Sequence, residues 1–296
     1  MRYREFAGTG FKASVIGMGT YYDFGWILRS SVTRKTPGEG MILESLKSGL
    51  DKGINLIDTA EIYRSEPVIG KAIYGLDRES LFIASKVFPT HYRREKLIRS
   101  CERSLRRLKT NYIDLYQLHF PSRFVPITEV MGAMEELVDR GMIRNIGISN
   151  FSYSGMLEAV AALKKYRLIS TQMHYNLSHR QVEKDILPHC EKNRIALIPY
   201  YPLAHGKLAG DGASLKTSAG EIAEKHGLKT NAQIALNYLV SRSQCVFPIP
   251  RARTPEHVAE NAGVGESLFD VEEIALLQSV FPMKEDTGGN QATASQ

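Results

Sequence analysis

The stretch INLIDTAEIY, Ile54 to Tyr63, places a carboxylate and a phenol five residues apart, directly after a short apolar run. The apolar residues are typical of a buried strand, and Asp58 would stand at its end. An ionised carboxylate is costly to bury unless a cation pairs with it. The sequence therefore predicts a cationic partner for Asp58 elsewhere in the chain.

Lys86 is the candidate partner, because it closes LFIASKV, the next strand-like segment along the chain. Neighbouring parallel strands lie about 5 Å apart, so the two side chains can meet if both point into one opening. One interpretation is a structural ion pair that only neutralises both charges. The other is a pair that serves catalysis.

Tyr63 would give this ion pair a chemical use. A phenol has an ordinary pKa of about 10, too high for easy proton transfer at neutral pH. A cation about 4 Å away would favour the phenolate by roughly 4 kcal/mol, and burial would cancel part of that gain. We therefore expect Lys86 to lower the pKa of Tyr63 toward the working range of a general acid, with Asp58 keeping the lysine charged and oriented.

His119 follows the strand-like segment IDLYQL and completes the set. A lone histidine is often structural, but opposite Tyr63 and Lys86 it would donate a hydrogen bond to a substrate oxygen. Two donors on one oxygen polarise a carbonyl. The group contains no serine or cysteine nucleophile and no second histidine at metal-ligand spacing, so we expect no metal. Hydride from a nicotinamide would then supply the electrons.

These residues need elements that bring them together, and apolar strands alternate with amphipathic helical patterns from Val15 onward. We predict strands at Val15–Thr20, Asn55–Thr59, Leu81–Val87, Ile113–His119, Ile143–Ser149, Ser170–His174, Ile195–Tyr200 and Val246–Pro250. We predict helices near 41–52, 66–74, 93–108, 127–140, 154–164, 182–193, 231–242 and 255–261. Eight such units indicate an α/β fold, a (β/α)8 TIM barrel, whose strand ends open on one mouth.

Other segments surround the predicted barrel, which we interpret as a single domain over residues 1–296. A doubly wound sheet is the alternative fold, but GTGFKA at Gly8 follows no strand and fits a hairpin turn better than a dinucleotide fingerprint. The further predictions are a hairpin cap (Tyr3–Phe6 and Phe11–Val15, within 1–14), two extra helices (Ser218–His226 and Val271–Phe281, the latter capped by Asp270), a long loop (Tyr21–Gly40) and a mobile tail (282–296).

Composition bounds the class of protein. The 296 residues are 43% hydrophobic and 24% charged, with a formal net charge of +6, as in a globular protein. The basic run from Arg93 to Lys109 carries apolar residues at helical spacing, so we interpret it as a solvated helix face rather than a nucleic-acid site. Three dispersed cysteines, no secretory leader and no long apolar run favour a reduced, cytoplasmic protein without a membrane span.

The chain resembles the aldo-keto reductases over nearly its whole length. The matching stretches are GMGT, GINLIDTAEIY, ASKV, IDLYQLHFP, IRNIGISNF, TQMHYN, IPYYPLAHGKL and PIPRARTPEHVAEN. The resemblance implies a (β/α)8 barrel that binds NADP(H) without a Rossmann domain. It also implies Tyr63 as general acid, Lys86 and Asp58 as its tuning pair, and His119 as the residue that orients the carbonyl.

The same resemblance implies a cofactor site along the strand ends. Ser149, Asn150 and Gln172 would hold the carboxamide, and Tyr200 would stack on the nicotinamide. Thr20 would lie near the nicotinamide ribose, Leu203 to Leu208 with Gly206 along the pyrophosphate, and Glu260 and Asn261 at the adenine. Gly19 and Asp58 are further residues implied at the cofactor. From the residues alone, Ser149–Asn150 also fits a helix N-cap, Gln172 a buried backbone partner and Tyr200 plain packing.

Three departures from the family pattern affect the cofactor preference. PRA, at Pro250 to Ala252, replaces the usual PKS, so Arg251 keeps a charge for a 2′-phosphate while a hydroxyl is lost. His257 stands where an arginine is common, and Arg253 adds a nearby cation. YYPL replaces YSPL and puts Tyr201 in place of a small phosphate contact. We expect NADP(H), with NAD(H) as a second possibility.

The resulting hypothesis is an NADPH-dependent oxidoreductase that reduces aldehydes or ketones to alcohols, or runs in reverse. Its partner would be a small carbonyl compound, with no nucleic acid and no membrane; the sequence sets no oligomeric state. The aromatics expected to line the substrate site are Tyr22, Phe24, Trp26, Phe88 and Phe120. The alternatives are a nucleotide-binding regulatory subunit of the same fold with negligible turnover, and an unrelated barrel acting on phosphorylated sugars.

Overall fold

A computed structural model of the chain describes residues 1–33, 36–210, 219–251 and 253–281. In this part of the chain, seven parallel strands form a nearly closed barrel in which each strand pairs with the next along the chain. They are β3 (Met18–Gly19), β4 (Leu56–Asp58), β5 (Phe82–Val87), β6 (Ile113–Leu118), β7 (Ile143–Ser149), β8 (Leu168–His174) and β9 (Ala196–Tyr200). The predicted α/β barrel is confirmed.

The eighth predicted strand, Val246–Pro250, closes the barrel without forming a regular ladder. The amides of Phe247 and Ile249 donate to carbonyls of β9, at 2.9 and 3.1 Å. On its other edge, the carbonyls of Pro248 and Pro250 accept from two glycine amides, one just before β3 and one in it, each at 2.9 Å. Proline has no N–H, so this edge accepts hydrogen bonds but cannot return them. The segment is therefore joined to its neighbours by isolated bridges.

The predicted helices pack around the barrel, with the expected apolar faces inward. Those that follow the strands are α2 (Glu39–Asp51), α3 (Glu66–Ala72), α4 (Arg94–Leu108), α5 (Ile127–Asp139), α6 (Tyr153–Ala162), α7 (Ile186–Asn193), α9 (Asn231–Arg242) and α10 (Pro255–Ala262). The two extra helices are α8 (Gly220–Lys225) and α11 (Val271–Val280). Asp270 caps α11 as predicted, in a capping box with Glu273.

An antiparallel hairpin, β1 (Tyr3–Glu5) and β2 (Lys12–Ser14), covers the amino-terminal end of the barrel. The Phe6 ring lies 4.4 Å from that of Phe82 in β5 and 4.8 Å from that of Phe247. These aromatic contacts fill the amino-terminal end of the barrel with apolar side chains. The open end of the barrel is therefore the end where the strands terminate.

The segment predicted as a long loop, Tyr21–Gly40, contains a helix instead, α1 (Phe24–Thr33). Asp23 starts this helix, because its side chain accepts from the Trp26 amide at 2.6 Å and its carbonyl from the Ile27 amide at 3.1 Å. Aspartate is a favoured residue at a helix N-terminus, so a start signal was present in the sequence. The loop prediction is wrong over these ten residues.

Two predictions fall outside the described residues: the tail 282–296 and the change to Ala252. Among the residues that are described, no helix is both long and apolar enough to cross a membrane. The same residues contain no cluster of three or more histidine, cysteine or acidic side chains suited to a metal ion.

Candidate active site

The barrel places the predicted ion pair at its open end. Asp58 is the last residue of β4, and its register partner on β5 is Ala84. Lys86 lies two residues beyond Ala84, so its side chain projects from the same inner face. The Lys86 Nζ atom donates to Asp58 Oδ1 at 2.6 Å and to the Thr59 carbonyl at 2.8 Å.

Both members of this pair are removed from solvent. The Lys86 side chain is 0% exposed and that of Asp58 is 3% exposed. Gln172, at the end region of β8, donates through Nε2 to the other aspartate oxygen, Oδ2, at 2.9 Å. Each charge is thus matched by hydrogen bonds as well as by its partner, which a buried ion pair needs.

Tyr63 and His119 meet beside the ion pair. Tyr63 ends a 3₁₀ turn, Glu61–Tyr63, that follows β4, and His119 is the first residue after β6. The phenolic oxygen lies 3.1 Å from His119 Nε2, and the two rings meet edge to face at 5.3 Å. Lys86 Nζ lies 4.9 Å from the centre of the Tyr63 ring. The structure therefore gathers all four residues into one cluster.

The expected lowering of the Tyr63 pKa is contradicted. Burial of the phenol, followed by the negative charge of Asp58 and the nearby phenols, raises the pKa of Tyr63 well above its usual value. The ammonium of Lys86 is engaged by Asp58 and the Thr59 carbonyl, so its field at Tyr63 is opposed by the carboxylate beside it. Burial and the carboxylate of Asp58 therefore outweigh the cation on which the expectation rested.

The pKa values of His119 and Lys86 are also shifted, in both cases downward. Burial, and then the charge of Lys86, lowers the pKa of His119 well below its ordinary value, so the imidazole is neutral at neutral pH. Burial also lowers the pKa of Lys86, although Asp58 opposes that shift. At neutral pH, Tyr63 is a neutral phenol and His119 a neutral imidazole. Both can donate a hydrogen bond to a single oxygen.

Of the five aromatics expected to line the substrate site, two lie at the mouth and three lie elsewhere. Phe120 stacks on His119 at 4.7 Å, and Phe88 meets His119 edge to face at 6.2 Å, so these two rings belong to the mouth. Tyr22 is buried in the core, with its ring 5.1 Å from that of Trp26. Trp26 donates through Nε1 to the Pro37 carbonyl, and Phe24 is 64% exposed on α1. Packing thus explains Tyr22 and Trp26.

Sequence reasoning missed two side chains at the mouth, Tyr21 and His174. The Tyr21 ring lies 5.1 Å from that of Tyr63 and 6.3 Å from that of Tyr201. Because β3 ends at Gly19, the alternation of side chains along a strand could not show whether Tyr21 or Tyr22 points into the mouth. His174 stacks on Tyr200 at 5.6 Å. It lies two residues after Gln172 in β8, so the two-residue period of a strand was an available signal.

The residues expected to hold the carboxamide form a connected network. Asn150 has a left-handed backbone, with φ of 64°. Its Nδ2 donates to the His119 carbonyl at 2.9 Å and to Ser149 Oγ at 3.1 Å, while its Oδ1 accepts from the Tyr200 hydroxyl at 2.8 Å. Helix α6 is capped by Ser152, so the alternative that Ser149–Asn150 forms the N-cap is wrong.

The segment expected along the pyrophosphate, Leu203 to Leu208, is a tight turn. Ala204, His205 and Gly206 all have positive φ, of 49°, 57° and 90°. Most of its amides donate to carbonyls within residues 201–206. Among the described residues, no atom lies within 4 Å of the place where a Gly206 Cβ would stand. Open space beside Gly206, rather than a row of free amides, is what this turn offers an anionic group.

Two arginines and a histidine lie near the start of α10, where a 2′-phosphate is expected. Arg251, Arg253 and His257 are all exposed, and neither arginine is ion-paired to a carboxylate of the described residues. Arg251 donates through Nη1 to the Tyr22 carbonyl at 2.6 Å. Thr254 caps the helix, and a helix N-terminus favours an anion. This part of the chain suits a phosphate.

The other residues expected at the cofactor are placed as follows. The Thr20 hydroxyl is buried between the Asp58 carbonyl and Ser65 Oγ, at 2.9 and 2.8 Å. Gly19 lies where a Cβ would meet the Ile249 carbonyl at 2.7 Å, so barrel closure alone requires a glycine there. On α10, Glu260 is half-buried and Asn261 is buried.

Comparisons with known proteins agree with this geometry. The profile of the Aldo/keto reductase family matches residues 39–281. Methylglyoxal reductase YeaE of Escherichia coli K12 is 37% identical over 90% of this chain and 90% of its own. Aldo-keto reductase YhdN of Bacillus subtilis 168 is 37% identical over 82% of this chain and 75% of its own.

A solved structure extends the comparison to the fold. The aldo/keto reductase of Klebsiella pneumoniae, crystallised with NADP and acetate, is 32% identical and superposes with a TM-score of 0.83. The match covers 96% of this chain and 97% of that one. Sequence profile, relatives and architecture agree, and the chain therefore belongs to the aldo/keto reductase family of oxidoreductases.

Proposed function

We propose that this protein is an NADPH-dependent carbonyl reductase, with Tyr63 as the general acid that protonates the substrate oxygen. The observation that carries the proposal is the 3.1 Å contact between the Tyr63 hydroxyl and His119 Nε2, set beside a buried and internally neutralised ion pair. Two neutral donors that meet at one point suit a carbonyl oxygen on which negative charge develops.

The residues present fit a nicotinamide dinucleotide phosphate. Arg251, Arg253 and the N-terminus of α10 would hold the 2′-phosphate, and the open space beside Gly206 would admit the pyrophosphate. Asn150 and Gln172 would face the carboxamide. When bound, NADPH supplies the hydride that reduces the carbonyl carbon. Binding of NADP by the Klebsiella pneumoniae structure supports this choice of cofactor.

The chain's own residues would then orient the substrate oxygen and donate one proton to it. His119, in the tautomer protonated on Nε2, donates a hydrogen bond to the carbonyl oxygen and orients it. Tyr63 donates its proton to that oxygen as negative charge appears there. The raised pKa of Tyr63 keeps the phenol protonated at neutral pH, as a group that donates a proton to the substrate oxygen must be.

The substrate would be an aldehyde or a ketone that reaches Tyr63 past Phe88, Phe120 and Tyr21. These rings give the approach an apolar wall near the reacting oxygen. The relative from Escherichia coli is a methylglyoxal reductase, so a small reactive aldehyde is the first substrate to test.

The test measures NADPH oxidation by the purified protein with methylglyoxal and a panel of aldehydes and ketones. In Tyr63→Phe we expect kcat to fall by about 10²-fold or more, because general acid catalysis contributes on that scale. The Kd of NADPH should stay within about twofold, since the phenolic oxygen is reserved for the substrate.

Tyr21→Phe is the matched control, because it removes a second phenol from the same mouth. We expect its kcat to fall by less than about tenfold. Turnover like that of the wild type in Tyr63→Phe would exclude Tyr63 as the acid. Tight NADPH binding without turnover on any carbonyl would favour the regulatory-subunit alternative.

A further inference from the structure

Glu61 opens the 3₁₀ turn that carries Tyr63, and its carboxylate is almost completely enclosed. The side chain is 8% exposed. Its Oε1 accepts from the Phe88 amide at 2.6 Å and contacts His91 Nδ1 at 2.9 Å. Its Oε2 accepts from the hydroxyl of Ser100. Three hydrogen-bonding partners converge on one carboxylate that the proposed proton transfer does not use.

The three partners belong to different parts of the barrel wall. Phe88 is the first residue after β5, His91 ends the 3₁₀ turn Pro89–His91, and Ser100 lies in the middle of α4. The Glu61 side chain therefore ties the turn after β4 to the exit of β5 and to a helix on the outside of the barrel. Tyr63 lies two residues later, at the end of the same turn.

Glu61 is also connected, through Phe88, to His119, the second of the two proposed hydrogen-bond donors. The Phe88 ring, whose own amide is held by Glu61, lies 6.2 Å from the His119 ring and 6.2 Å from the Phe120 ring. Phe120 in turn stacks on His119 at 4.7 Å. One carboxylate thus fixes both the turn that presents Tyr63 and the aromatic wall that supports His119.

We infer that Glu61 is a positioning residue that sets the separation between the Tyr63 hydroxyl and His119 Nε2. The inference rests on the proposed function, in which both atoms must address one substrate oxygen. A displacement of about 1 Å between reacting groups can cost about 10²-fold in rate, so a buried brace at this point affects rate more than binding.

A second buried glutamate shows what a purely structural brace looks like. Glu135, on α5, is 7% exposed and accepts from the amides of Lys164, Lys165 and Tyr166. These amides lie in the connection that leads from α6 into the start of β8. That connection is at the amino-terminal end of the barrel, opposite the mouth. Glu135 therefore serves as a matched control.

The test compares Glu61→Ala, Glu61→Gln, Ser100→Ala and Glu135→Ala with the wild type. Its readouts are the single-turnover rate of NADPH oxidation with saturating methylglyoxal, the Kd of NADPH and the urea midpoint. For Glu61→Ala we expect the single-turnover rate to fall by about tenfold or more, with the Kd of NADPH within about twofold. Glu61→Gln can still accept from Phe88 and donate to Ser100, so its rate should stay within about threefold.

The control variants separate positioning from stability. Glu135→Ala should lower the urea midpoint and leave the single-turnover rate unchanged. Ser100→Ala removes one contact to Glu61 and should lower the rate by about two- to fivefold. If Glu61→Ala does not fold, Ser100→Ala decides, and a rate equal to that of the wild type overturns the inference. Equal rate losses in Glu61→Ala and Glu135→Ala overturn it as well.

A crystal structure makes the test independent of activity. In Glu61→Ala, or in Ser100→Ala if that variant alone folds, the distance from the Tyr63 hydroxyl to His119 Nε2 should lengthen from 3.1 Å. An unchanged distance overturns the positioning role, whatever the turnover. Absence of turnover in the wild type would instead count against the proposed function, so the two failures are distinct.

Discussion

Substitution of Lys86 by methionine is the perturbation that best separates the two roles of the buried ion pair. Lys86→Met keeps the length of the side chain and removes the ammonium. Asp58 then keeps one donor, Gln172 Nε2 at 2.9 Å, and loses the cation that stood 2.6 Å away. A second variant, the double substitution Asp58→Asn with Lys86→Met, also removes the carboxylate charge that Lys86→Met leaves unpaired.

The structure sets the size of the effect. Removing one partner of a buried ion pair costs about 3–5 kcal/mol, and we expect about 3 kcal/mol for Lys86→Met because Gln172 still serves Asp58. Asp58→Asn should cost about 2 kcal/mol, since the lowered pKa of Lys86 lets the lysine shed its proton. The double variant leaves no charge unpaired and should cost about 2 kcal/mol, well below the sum of the two.

Turnover should behave differently from stability. If the ammonium beside Tyr63 is needed for proton transfer, Lys86→Met should lose turnover, and the double variant should not regain it. Stability is measured by urea unfolding, and turnover by NADPH consumption with a carbonyl substrate. Lys165→Met is the matched control. It breaks a 2.7 Å surface pair with Asp139 and should leave both quantities unchanged.

Two outcomes would refute this reasoning. A double variant as unstable as the sum of the single variants would show that the two charges do not act as one unit. A double variant with turnover like that of the wild type would show that the ammonium has no part in the chemistry, and would leave the pair as a structural feature.

Two further predictions concern pH and the cofactor. Because burial and Asp58 raise the pKa of Tyr63, and His119 is already neutral, steady-state reduction should be constant between about pH 6 and 8. Alcohol oxidation, in which the proposed mechanism requires Tyr63 to accept a proton, should become faster as pH rises. A reduction rate that declines through this range would contradict the assignment. Arg251→Ala should weaken NADPH binding by about tenfold or more and NADH binding by less than about threefold, as measured by fluorescence titration. Equal losses would exclude Arg251 from the 2′-phosphate site.

The barrel was predictable because its signals are local and repeat. Strand and helix patterns alternate along the chain, and each parallel strand pairs with the next one. Once the strand ends share one mouth, Asp58 and Lys86 must approach each other, and the register shows why. The contact between Tyr63 and His119 follows from the same rule, although 56 residues separate them along the chain.

The errors arise where a local pattern meets a tertiary constraint. Val246–Pro250 has the composition of a strand, but its two prolines cannot donate to a neighbour. The helix Phe24–Thr33 lies within the segment predicted as a loop. It exposes apolar side chains, Phe24 at 64% and Leu28 at 56%, and so departs from the usual pattern of a helix with a polar outer face. Aromatic composition likewise could not tell Tyr22, which is buried, from Tyr21, which lies at the mouth.

The pKa of Tyr63 could not be obtained from sequence for a different reason. The direction of its shift depends on the cation of Lys86, which lowers the pKa, and on the loss of water and the anion of Asp58, which both raise it. Spacing along the chain reveals that the charges are close. It does not reveal that Lys86 turns its ammonium onto Asp58 and the Thr59 carbonyl.

The distribution of charge at the mouth separates binding from chemistry. Around Tyr63 the charges are paired internally, Lys86 with Asp58, so the groups proposed to contact the substrate are neutral and would need little rearrangement when charge develops. At the start of α10, Arg251 and Arg253 keep exposed cations without a carboxylate partner among the described residues. Affinity for an anionic cofactor should therefore come from the edge of the barrel, and rate from its interior. Substitutions at the arginines should then change Kd, whereas those at Tyr63 should change kcat.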